Sequence, residues 1–196
     1  MSQADKPIPR SITQFYDTRL EAYDEMYAGE GQLQLHWQAL MQELDHLGRE
    51  GLERRHREAQ RLLRENGVTF NIYDGLSGTS RPWQLDPIPL FISAEEWSVI
   101  EAGLVQRAEL LNLILADIYG PQMLIKDGLL PPDLIFGHLG FQRACVGLNP
   151  PGDRPLILCS SNLARGPDGR MWVIDDRTQT PSGAGYALEN RMVMTR

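Results

Sequence analysis

One stretch of the sequence, residues 172–191, reads WVIDDRTQTPSGAGYALENR and decides which fold to expect. Its short apolar run ends in two consecutive aspartates, Asp175 and Asp176, and a Ser-Gly-Ala-Gly segment follows at 182–185. Glycine adopts backbone conformations that other residues avoid, and connecting segments of this kind commonly carry functional side chains on a rigid scaffold. The stretch therefore predicts a strand whose charged end lies beside a tight turn.

The residues before this stretch predict the other half of a β-hairpin. Residues 156–160 and 170–175 have strand composition, and Gly-Pro-Asp-Gly stands between them at 166–169. Proline presets φ, aspartate bonds to neighbouring backbone groups, and glycine accepts a positive φ, so this sequence favours a turn. Side chains alternate along a strand, which places Asp175 and Arg177 on one face and Asp176 on the other.

The acidic end of this hairpin is a candidate magnesium site. Mg²⁺ takes one or two protein carboxylates and lets phosphates and water complete its octahedron, so Asp175 and Asp176 are the candidate metal ligands. The spacing alone favours the other interpretation, a capped loop held by an ion pair between Asp175 and Arg177. The residue pattern leaves both interpretations open.

Helical periodicity marks the segments upstream. Leucine spacing predicts helices at about 36–47 and 52–65, separated at Gly48 and Gly51, and a long helix from the capping box at Ser93 to about residue 118. The long helix is apolar on more than one side, which predicts that it is sandwiched in a core. A strand at 68–73, a short helix near 121–126 and a strand near 141–146 are also expected.

Composition limits the classes of partner. A net charge of -7 argues against non-specific binding to nucleic acid or to anionic membranes. The two cysteines, Cys145 and Cys159, are too few for a disulfide framework. No apolar run approaches the roughly 20 residues of a membrane helix, and the N-terminus lacks the apolar core of a signal peptide. A cytoplasmic protein is expected, with no nucleic-acid or membrane partner.

Several segments together resemble the circularly permuted ATP-grasp family (type 2). The segments that carry the resemblance are GVTFNIY at 67–73, QR at 106–107, LN at 111–112, DIYG at 117–120 and the stretch from Arg165 to Arg191, together with YDEM at 23–26. The last long segment is the most specific, because it combines the Asp-Gly turn, the strand with two aspartates, and the Pro-Ser-Gly and Leu-Glu-Asn-Arg sequences.

The resemblance implies an α+β fold of permuted ATP-grasp type, with a helical N-terminal region and a small mixed sheet that ends in a β-hairpin. It implies three domains: an N-terminal arm and helical region at 1–66, an α/β region at 67–154, and the metal-side hairpin with its glycine turn at 155–196. The chain would then be incomplete, holding the metal-side hairpin of the ATP-grasp core without the half that clamps ATP.

The same resemblance implies an ATP-dependent ligase that joins a carboxylate to an amine through an acylphosphate. ATP and Mg²⁺ are the implied cofactors, and small-molecule or peptide carboxylates and amines are the implied substrates. Asp175 and Asp176 would bind the metal, and Arg177 would act in catalysis by gripping a phosphate or a substrate carboxylate. The implied cofactor-binding residues are Ser182, Gly183, Gly185 and Arg191.

An alternative remains open: a non-catalytic, degenerate ATP-grasp module for binding or assembly, or an inactive truncated fragment. Arg177 favours it because a guanidinium cannot ligate Mg²⁺, and Asn162 favours it because an amide there adds no negative charge. The missing half would have to come from further polypeptide or from a partner chain. We also expect residues 192–194 to form an unpaired apolar edge.

Overall fold

The computed structural model describes residues 13, 16, 22–29, 31–72, 79–148, 150, 152 and 154–195. The chain divides into two compact units. The first unit comprises Met1–Ser93, Pro167–Gly169 and Ser182–Arg196, and the second comprises Ala94–Gly166 and Arg170–Pro181. The three domains expected from the sequence stay predictions.

The fold is a mixture of helices and small antiparallel sheets, compatible with the predicted α+β class. In the described part of the chain, every strand pairs with its neighbour in sequence, forming three two-stranded antiparallel sheets. The expectation of a mixed sheet is therefore wrong for these residues. Each pair is joined by a short connection, and short connections favour antiparallel hairpins because parallel pairs need long crossovers.

The first unit contains two short hairpins and two helices. Its elements are β1 (Tyr27–Gly29), β2 (Gln32–Leu33), α1 (Leu35–Glu65), β3 (Thr69–Ile72) and β4 (Thr79–Pro82). The chain returns to this unit in its last helix, α5 (Ala184–Met194). The strand predicted at 68–73 is confirmed over Thr69–Ile72, and residue 73 lies outside the described residues.

Helix α1 is interrupted at one of the two predicted glycines. Gly48 has φ 65° and ψ 173°, which is not helical, and the helix resumes before residue 52. The predicted break is confirmed, but the second helix begins earlier than expected. Its end is also confirmed, because Asn66 caps it and Gly67 follows with φ 69°.

The first unit contains the buried core of the described residues. One face of α1 supplies Trp37, Met41 and Leu44 at helical spacing, and Met26 packs with them. The Trp37 ring meets Phe91 edge to face, with ring centroids 5.1 Å apart. The core therefore joins α1 to the chain on both sides of it.

The second unit is built on one long helix and one hairpin. Its elements are α2 (Ala94–Tyr119), α3 (Met123–Lys126), α4 (Pro132–Phe136), β5 (Ser160–Arg165) and β6 (Met171–Arg177), with a 3₁₀ turn at Arg143–Cys145. The predicted helix near 121–126 is confirmed as α3. The strand predicted near 141–146 is wrong, because this segment contains the 3₁₀ helix at 143–145 followed by a turn at 146–147.

The final hairpin has the predicted turn but a different first strand. Gly169 has φ 79°, and the Gly166 amide donates to the Arg170 carbonyl at 2.8 Å, so the turn at 166–169 is confirmed. The first strand begins at Ser160 and does not cover 156–159. The backbone amide of Leu156 instead donates to the side-chain oxygen of Asn112 on α2 at 3.0 Å, which draws this segment onto the helix.

Helix α2 is not sandwiched in a core, contrary to the expectation from its sequence. Among the described residues, none of its side chains is buried, and the exposed ones include Trp97, Val99, Leu110 and Leu113. A helix of 26 residues is about 39 Å long. Within the second unit, one two-stranded hairpin and a few short helical turns cover only part of such a helix.

The C-terminal residues do not form an unpaired edge. Residues 192–194 end helix α5, in which Val193 is buried while Met192 and Met194 stay exposed. The backbone of these residues is helical, so no strand edge is presented. Within the described residues, no helix combines the length and apolar character that crossing a membrane requires.

Candidate functional site

The acidic end of the hairpin contains an irregularity in strand pairing. Ser161 pairs with Asp176 and Asn162 pairs with Asp175, but the next residue, Leu163, pairs with Val173. One extra residue, Ile174, is therefore inserted in β6. Such a β-bulge bends the strand and changes the face to which the following side chains point.

The bulge decides which of the two aspartates lies on the covered face of the strand. Val173 and Asp176 are both partly buried, whereas Ile174 and Asp175 are exposed. In a regular strand Asp175 would share the face of Val173, because side chains alternate. Because of the bulge, Asp176 and not Asp175 lies on the covered face with Val173. The two candidate metal ligands point to opposite faces of β6.

Asp176 is held by two donors from within the second unit. Its Oδ1 accepts from the Ser161 hydroxyl at 2.7 Å, and its Oδ2 accepts from Arg107 Nε at 2.6 Å. Its side chain is only 12% exposed, and that of Arg107 is 46% exposed. The Ser161 hydrogen bond and then the Arg107 hydrogen bond and charge lower the pKa of Asp176, against the opposing effect of burial.

Asp175 is the accessible carboxylate of the pair. Its Oδ1 accepts from the Asn162 side-chain amide at 2.6 Å, across the hairpin. No other hydrogen bond to its carboxylate is found within the described residues. The Asn162 contact orients Asp175. Among the described residues it leaves two oxygen atoms without a hydrogen bond, the second carboxylate oxygen of Asp175 and the side-chain amide oxygen of Asn162.

Arg177 ends the strand with an exposed guanidinium. Its backbone pairs with Ser160, and its side chain makes no hydrogen bond or ion pair in the part of the chain that the structure describes. The ion pair with Asp175 that the sequence allowed is absent there. Arg177 is therefore available to an anionic ligand, for which the planar guanidinium offers paired donors.

The hairpin lies along α2 because two ion pairs hold it there. Besides Arg107 with Asp176, Arg165 on β5 makes a bidentate contact with Glu96, with Nη2 and Oε2 at 3.2 Å and a second bond between Nη1 and Oε1. Glu96 and Arg107 are 11 residues apart, which places them on one face of a helix, about 16 Å apart along its axis. These two contacts position the acidic strand end.

Sequence reasoning missed these positioning residues. The sequence predicts Glu96 as the glutamate of the capping box that begins at Ser93, and contains Arg107 only among the segments that carry the resemblance. Their spacing on one helix face was a usable signal, but their partners follow 69 residues later in both cases. No local pattern connects residues so far apart.

A groove of about 530 Å³ lies beside α2 within the second unit. It is lined by apolar side chains of α2, by the segment from α4 to Phe141, and by the residues that follow β6. The lining residues are Leu111, Ile114, Leu115, Ile118, Tyr119, Leu134, Ile135, His138, Gly140, Phe141, Leu156, Thr178 and Gln179. The groove thus adjoins the chain directly after Arg177.

The predicted cofactor-binding glycines lie at the start of α5. Gly183 is the N-cap residue, with φ 120° and ψ −23°, and no side chain caps the helix. The first turn of the helix also contains no acidic residue, and Ser182 and Gly185 are exposed beside it. The amides of the first turn have no partner inside a helix, which makes this end suitable for an anion.

Other residues of the same motif hold α5 in place within the first unit. Tyr186 stacks on Trp83 with ring centroids 4.4 Å apart and donates its hydroxyl to the Thr69 carbonyl at 2.7 Å. Trp83 Nε1 donates to Asn190 Oδ1 at 2.8 Å, and Asn66 donates to Glu189. Tyr186, Glu189 and Asn190 therefore secure the helix to the end of α1 and to the β3–β4 hairpin with the Trp83 that follows it.

Arg191 is separated from the other predicted cofactor residues. It lies in the last turn of α5, eight residues after Gly183, or about 12 Å along the helix. The structure therefore groups Ser182, Gly183 and Gly185 at one end of α5 and leaves Arg191 near the other. The cofactor role of each stays a prediction.

The geometry can be compared with what Mg²⁺ requires. In the described residues, no group of three or more His, Cys, Asp or Glu side chains is arranged to hold a metal ion. Asp176 is already compensated by Arg107, so one carboxylate, Asp175, is available at this strand end. One protein carboxylate fits Mg²⁺ where phosphates and water supply the remaining ligands.

Comparison with known proteins identifies several relatives of this chain. Relatives include uncharacterized protein Rv2567 of Mycobacterium tuberculosis, 41% identical over 180 residues that cover 88% of this chain and 20% of the relative. Uncharacterized protein sll0335 of Synechocystis is 38% identical over 88% of this chain and 36% of its own length. Uncharacterized protein ML0605 of Mycobacterium leprae is 35% identical over 89% of this chain and 30% of its own length.

The chain thus spans between a fifth and little more than a third of the length of these relatives. The family model described as circularly permuted ATP-grasp type 2 matches residues 89–196, which is more than half of the chain. The match includes α2, the acidic hairpin and the glycine-flanked helix α5. The chain belongs to the circularly permuted ATP-grasp type 2 family.

Proposed function

We propose that this chain forms the metal-side part of an ATP-dependent ligase that joins a carboxylate to an amine. The observation that carries the proposal is an exposed carboxylate, Asp175, and an unpaired guanidinium, Arg177, two residues apart at one strand end of an ATP-grasp family member. ATP-grasp proteins generally use ATP and Mg²⁺. Opposite charges at one strand end suit a metal–phosphate ligand, which carries both signs.

Asp175 is the residue proposed to hold Mg²⁺. The Asn162 amide bonds to one of its oxygens at 2.6 Å and so orients the other toward solvent. Bound there with ATP, Mg²⁺ would neutralise charge on the phosphates. Asp176 is proposed to act indirectly: through Arg107 and Ser161 it fixes the strand end from which Asp175 projects.

Arg177 is proposed to grip an anion. Its alternation with Asp175 places both side chains on one face of β6, so an anion at Arg177 lies near the carboxylate that holds the metal. The ligand would be the transferred phosphate or the carboxylate of the acid substrate. A guanidinium there stabilises the negative charge that spreads over the phosphoryl oxygens during transfer.

Within the first unit, the first turn of α5 is proposed as a position that binds a phosphate of the cofactor. Gly183 has a φ of 120°, which brings the chain into the helix without a side chain over its end. The amides after Gly183 can then donate to an anion, with Ser182 and Gly185 beside them. Arg191 lies about two helical turns away, so we propose that its cofactor contact is separate from that of these residues.

The proposed reaction has two balanced steps. A carboxylate oxygen of the acid substrate attacks the γ-phosphorus of ATP, forming an acylphosphate and releasing ADP. The amine substrate then attacks the acyl carbon, inorganic phosphate leaves, and the amine loses a proton as the amide forms. We also propose that further polypeptide supplies the ATP clamp, since the relatives are three to five times longer than the matched region.

The experiment measures ADP release by the whole protein with Mg²⁺, ATP and panels of carboxylic acids and amines. We expect release to depend on one acid and one amine, and Asp175→Ala to lower it by at least about a hundredfold. Leu139→Ala, a change at a fully exposed side chain outside the strand end, is the matched control and should leave the rate unchanged. No ADP from any pair, in wild type and Asp175→Ala alike, contradicts the proposal.

One observation favours a second function, a binding module without catalysis. The two aspartates point to opposite faces of β6, and Arg107 already compensates one of them. Thermal unfolding with ATP, with and without Mg²⁺, separates the two functions. A binding-only module is stabilised by ATP to the same extent in EDTA, whereas the proposed ligase requires Mg²⁺ for the full shift.

A further inference from the structure

The groove beside α2 has the size of a small-molecule site and walls without charge. Its volume of about 530 Å³ falls within the roughly 300–1,000 Å³ that is typical of ligand pockets. One wall is the apolar side of α2, including Ile114 and Ile118, and the other wall carries Leu134 and Phe141. Among the described residues, no aspartate, glutamate, lysine or arginine lines the groove. Such a surface favours an uncharged ligand, because a charge placed there would lose its hydration without gaining a partner of opposite sign.

Ring contacts order one wall of the groove before a ligand enters. Tyr119 and Phe141, which both line it, are stacked with ring centroids 5.3 Å apart and an interplanar angle of 18°. Phe136 meets Phe141 edge to face, and the Tyr119 hydroxyl accepts from the Gln142 amide at 3.1 Å. A wall that is ordered before binding loses little conformational entropy when the ligand binds.

Two polar side chains of the lining, those of His138 and Gln179, come together at Gly140. A Cβ added at Gly140 would lie 3.0 Å from Cε1 and Nδ1 of His138 and 3.7 Å from Oε1 of Gln179. Because Gly140 has no side chain, the imidazole and the carboxamide approach each other over bare backbone. All three residues line the groove, so its polar groups converge at one position, as they do in specific ligand sites.

The hydrogen-bonding roles of these two side chains define what they can bind. Nδ1 of His138 accepts from the Gly140 amide at 3.0 Å, so a neutral imidazole carries its proton on Nε2 and offers it as a donor. The Gln179 carboxamide offers both donors and an acceptor, and it has no partner among the described residues. A ligand amide matches this pair, because its carbonyl accepts and its N–H donates without adding charge.

We propose that this groove binds a small uncharged amide that carries an aromatic or branched aliphatic group. The apolar group lies against α2, and the amide bonds to His138 and Gln179. This inference goes beyond the proposed ligase, because Asp175 and Arg177 are not among the residues that line the groove. Strand alternation places both of them on the face of β6 opposite Asp176, which is the residue that meets α2.

The experiment follows leucine and isoleucine methyl signals of the whole protein by NMR while 3-phenylpropanamide is added without ATP or metal. We expect shifts at Ile114, Ile118 and Leu134, and none at Leu110 or Leu113, which are exposed on the same helix outside the groove. Two charged probes with the same skeleton, 3-phenylpropanoate and 3-phenylpropylamine, should each bind at least about fivefold more weakly, because neither finds an opposite charge in the groove.

A charge introduced at residue 179 should change which probe binds best. Gln179→Glu keeps the shape of the side chain and adds a carboxylate, so 3-phenylpropylamine should then bind at least about fivefold more tightly than 3-phenylpropanamide. Gln106→Glu is the matched control, because Gln106 is exposed on α2 outside the groove and the substitution adds the same charge. It should leave the order of the three affinities unchanged.

A matched pair of leucines separates the groove from general surface hydrophobicity. Leu134 is 60% exposed and lines the groove, whereas Leu139 is 98% exposed and does not. Leu134→Gln should weaken binding of 3-phenylpropanamide about threefold or more, and Leu139→Gln should leave it unchanged. Unchanged methyl spectra in regions distant from the groove confirm that each variant is folded.

Four results overturn the inference. They are the absence of methyl shifts in the groove, binding of either charged probe as tight as that of the amide, an unchanged order of affinities in Gln179→Glu, and equal losses from Leu134→Gln and Leu139→Gln. Because probe binding is measured without ATP or metal, its outcome does not depend on the ligase proposal. ADP release without probe binding contradicts the groove site alone.

Discussion

The guanidinium of Arg107 donates from Nε to Asp176 Oδ2 at 2.6 Å, and this contact ties the middle of α2 to the acidic end of β6. The two residues are 69 positions apart in the sequence. Asp176 also accepts from Ser161 on the neighbouring strand, so one carboxylate connects three elements of the second unit. The position of the candidate site depends on this connection.

Removing the arginine should loosen the hairpin locally. Arg107→Gln leaves Asp176, which is largely covered, with the Ser161 hydroxyl as its remaining partner. We expect the free energy of opening of the β5–β6 hairpin to fall by about 1 kcal/mol, a modest value because the Arg107 side chain is half exposed. Amide hydrogen exchange of β5 and β6 measures it.

The control for Arg107 is a surface ion pair of similar bond length. Arg61 and Glu65 are in contact at 3.0 Å on α1, and both side chains are more than half exposed. Arg61→Gln should therefore change the local opening free energy of α1 by less than about 0.5 kcal/mol. Equal losses at the two sites would show that partial burial of Asp176 adds nothing to the Arg107 contact.

Protonation of Asp176 should lower the free energy of unfolding at acidic pH. Its pKa is lowered in the folded protein, mainly by the Ser161 hydrogen bond. A lowered carboxyl pKa contributes stability that is fully present above the ordinary value near 3.8 and is lost as the pH falls through the lowered value. We expect urea denaturation to find wild type more stable than Asp176→Asn at pH 6, with the difference shrinking below about pH 4. A difference that is constant from pH 6 to pH 2.5 contradicts this.

Two glycines of the same turn should respond in opposite directions to alanine. Gly183 has φ 120°, which L-residues rarely adopt, so Gly183→Ala should destabilise the chain by about 1–2 kcal/mol. Gly185 lies inside α5 without a positive φ and with open space around an added Cβ. Gly185→Ala should therefore stabilise by about 0.5 kcal/mol through helix propensity. Urea denaturation followed by circular dichroism measures both, and changes of the same sign contradict the assigned backbone.

The hydrogen bond from the Trp83 indole to Asn190 should stabilise the packing of α5 within the first unit. Trp83→Phe keeps an aromatic ring against Tyr186 but removes the donor to Asn190, so we expect a loss of about 1 kcal/mol in the opening free energy of α5. Trp97→Phe is the control, because Trp97 is exposed and its indole makes no hydrogen bond in the described residues. Protection of the α5 amides that is unchanged in Trp83→Phe would show that stacking alone holds the helix.

Much of the local structure could be predicted from the sequence. The glycine break in α1, the cap at Asn66 and the turn at 166–169 all follow from residues that favour one backbone conformation. The first hairpin strand was misplaced because residues 156–158 have strand composition, yet the Leu156 amide bonds to Asn112 far upstream. A hydrophobic pattern does not reveal such a competing long-range bond.

The candidate site could be located but not assembled from the sequence. Two adjacent aspartates at a strand end predict two ligands for one metal, and strand alternation predicts that they point to opposite faces. The pattern did not contain the bulge at Ile174, which decides that Asp176 takes the covered face and Asp175 the exposed one. It also did not contain the role of Glu189 and Asn190, which secure α5 through bonds with Asn66 and Trp83.

The sequence by itself determined the strand with its charged end, the glycine turn, the main helices and the resemblance to the family. These depend on neighbouring residues, whose backbone preferences and spacing act within a few positions of each other. The tertiary structure alone decided which aspartate is compensated, that Arg177 stays unpaired among the described residues, and that α2 borders a groove. Those outcomes depend on contacts between residues far apart in the chain, and such contacts exist only once the elements have packed.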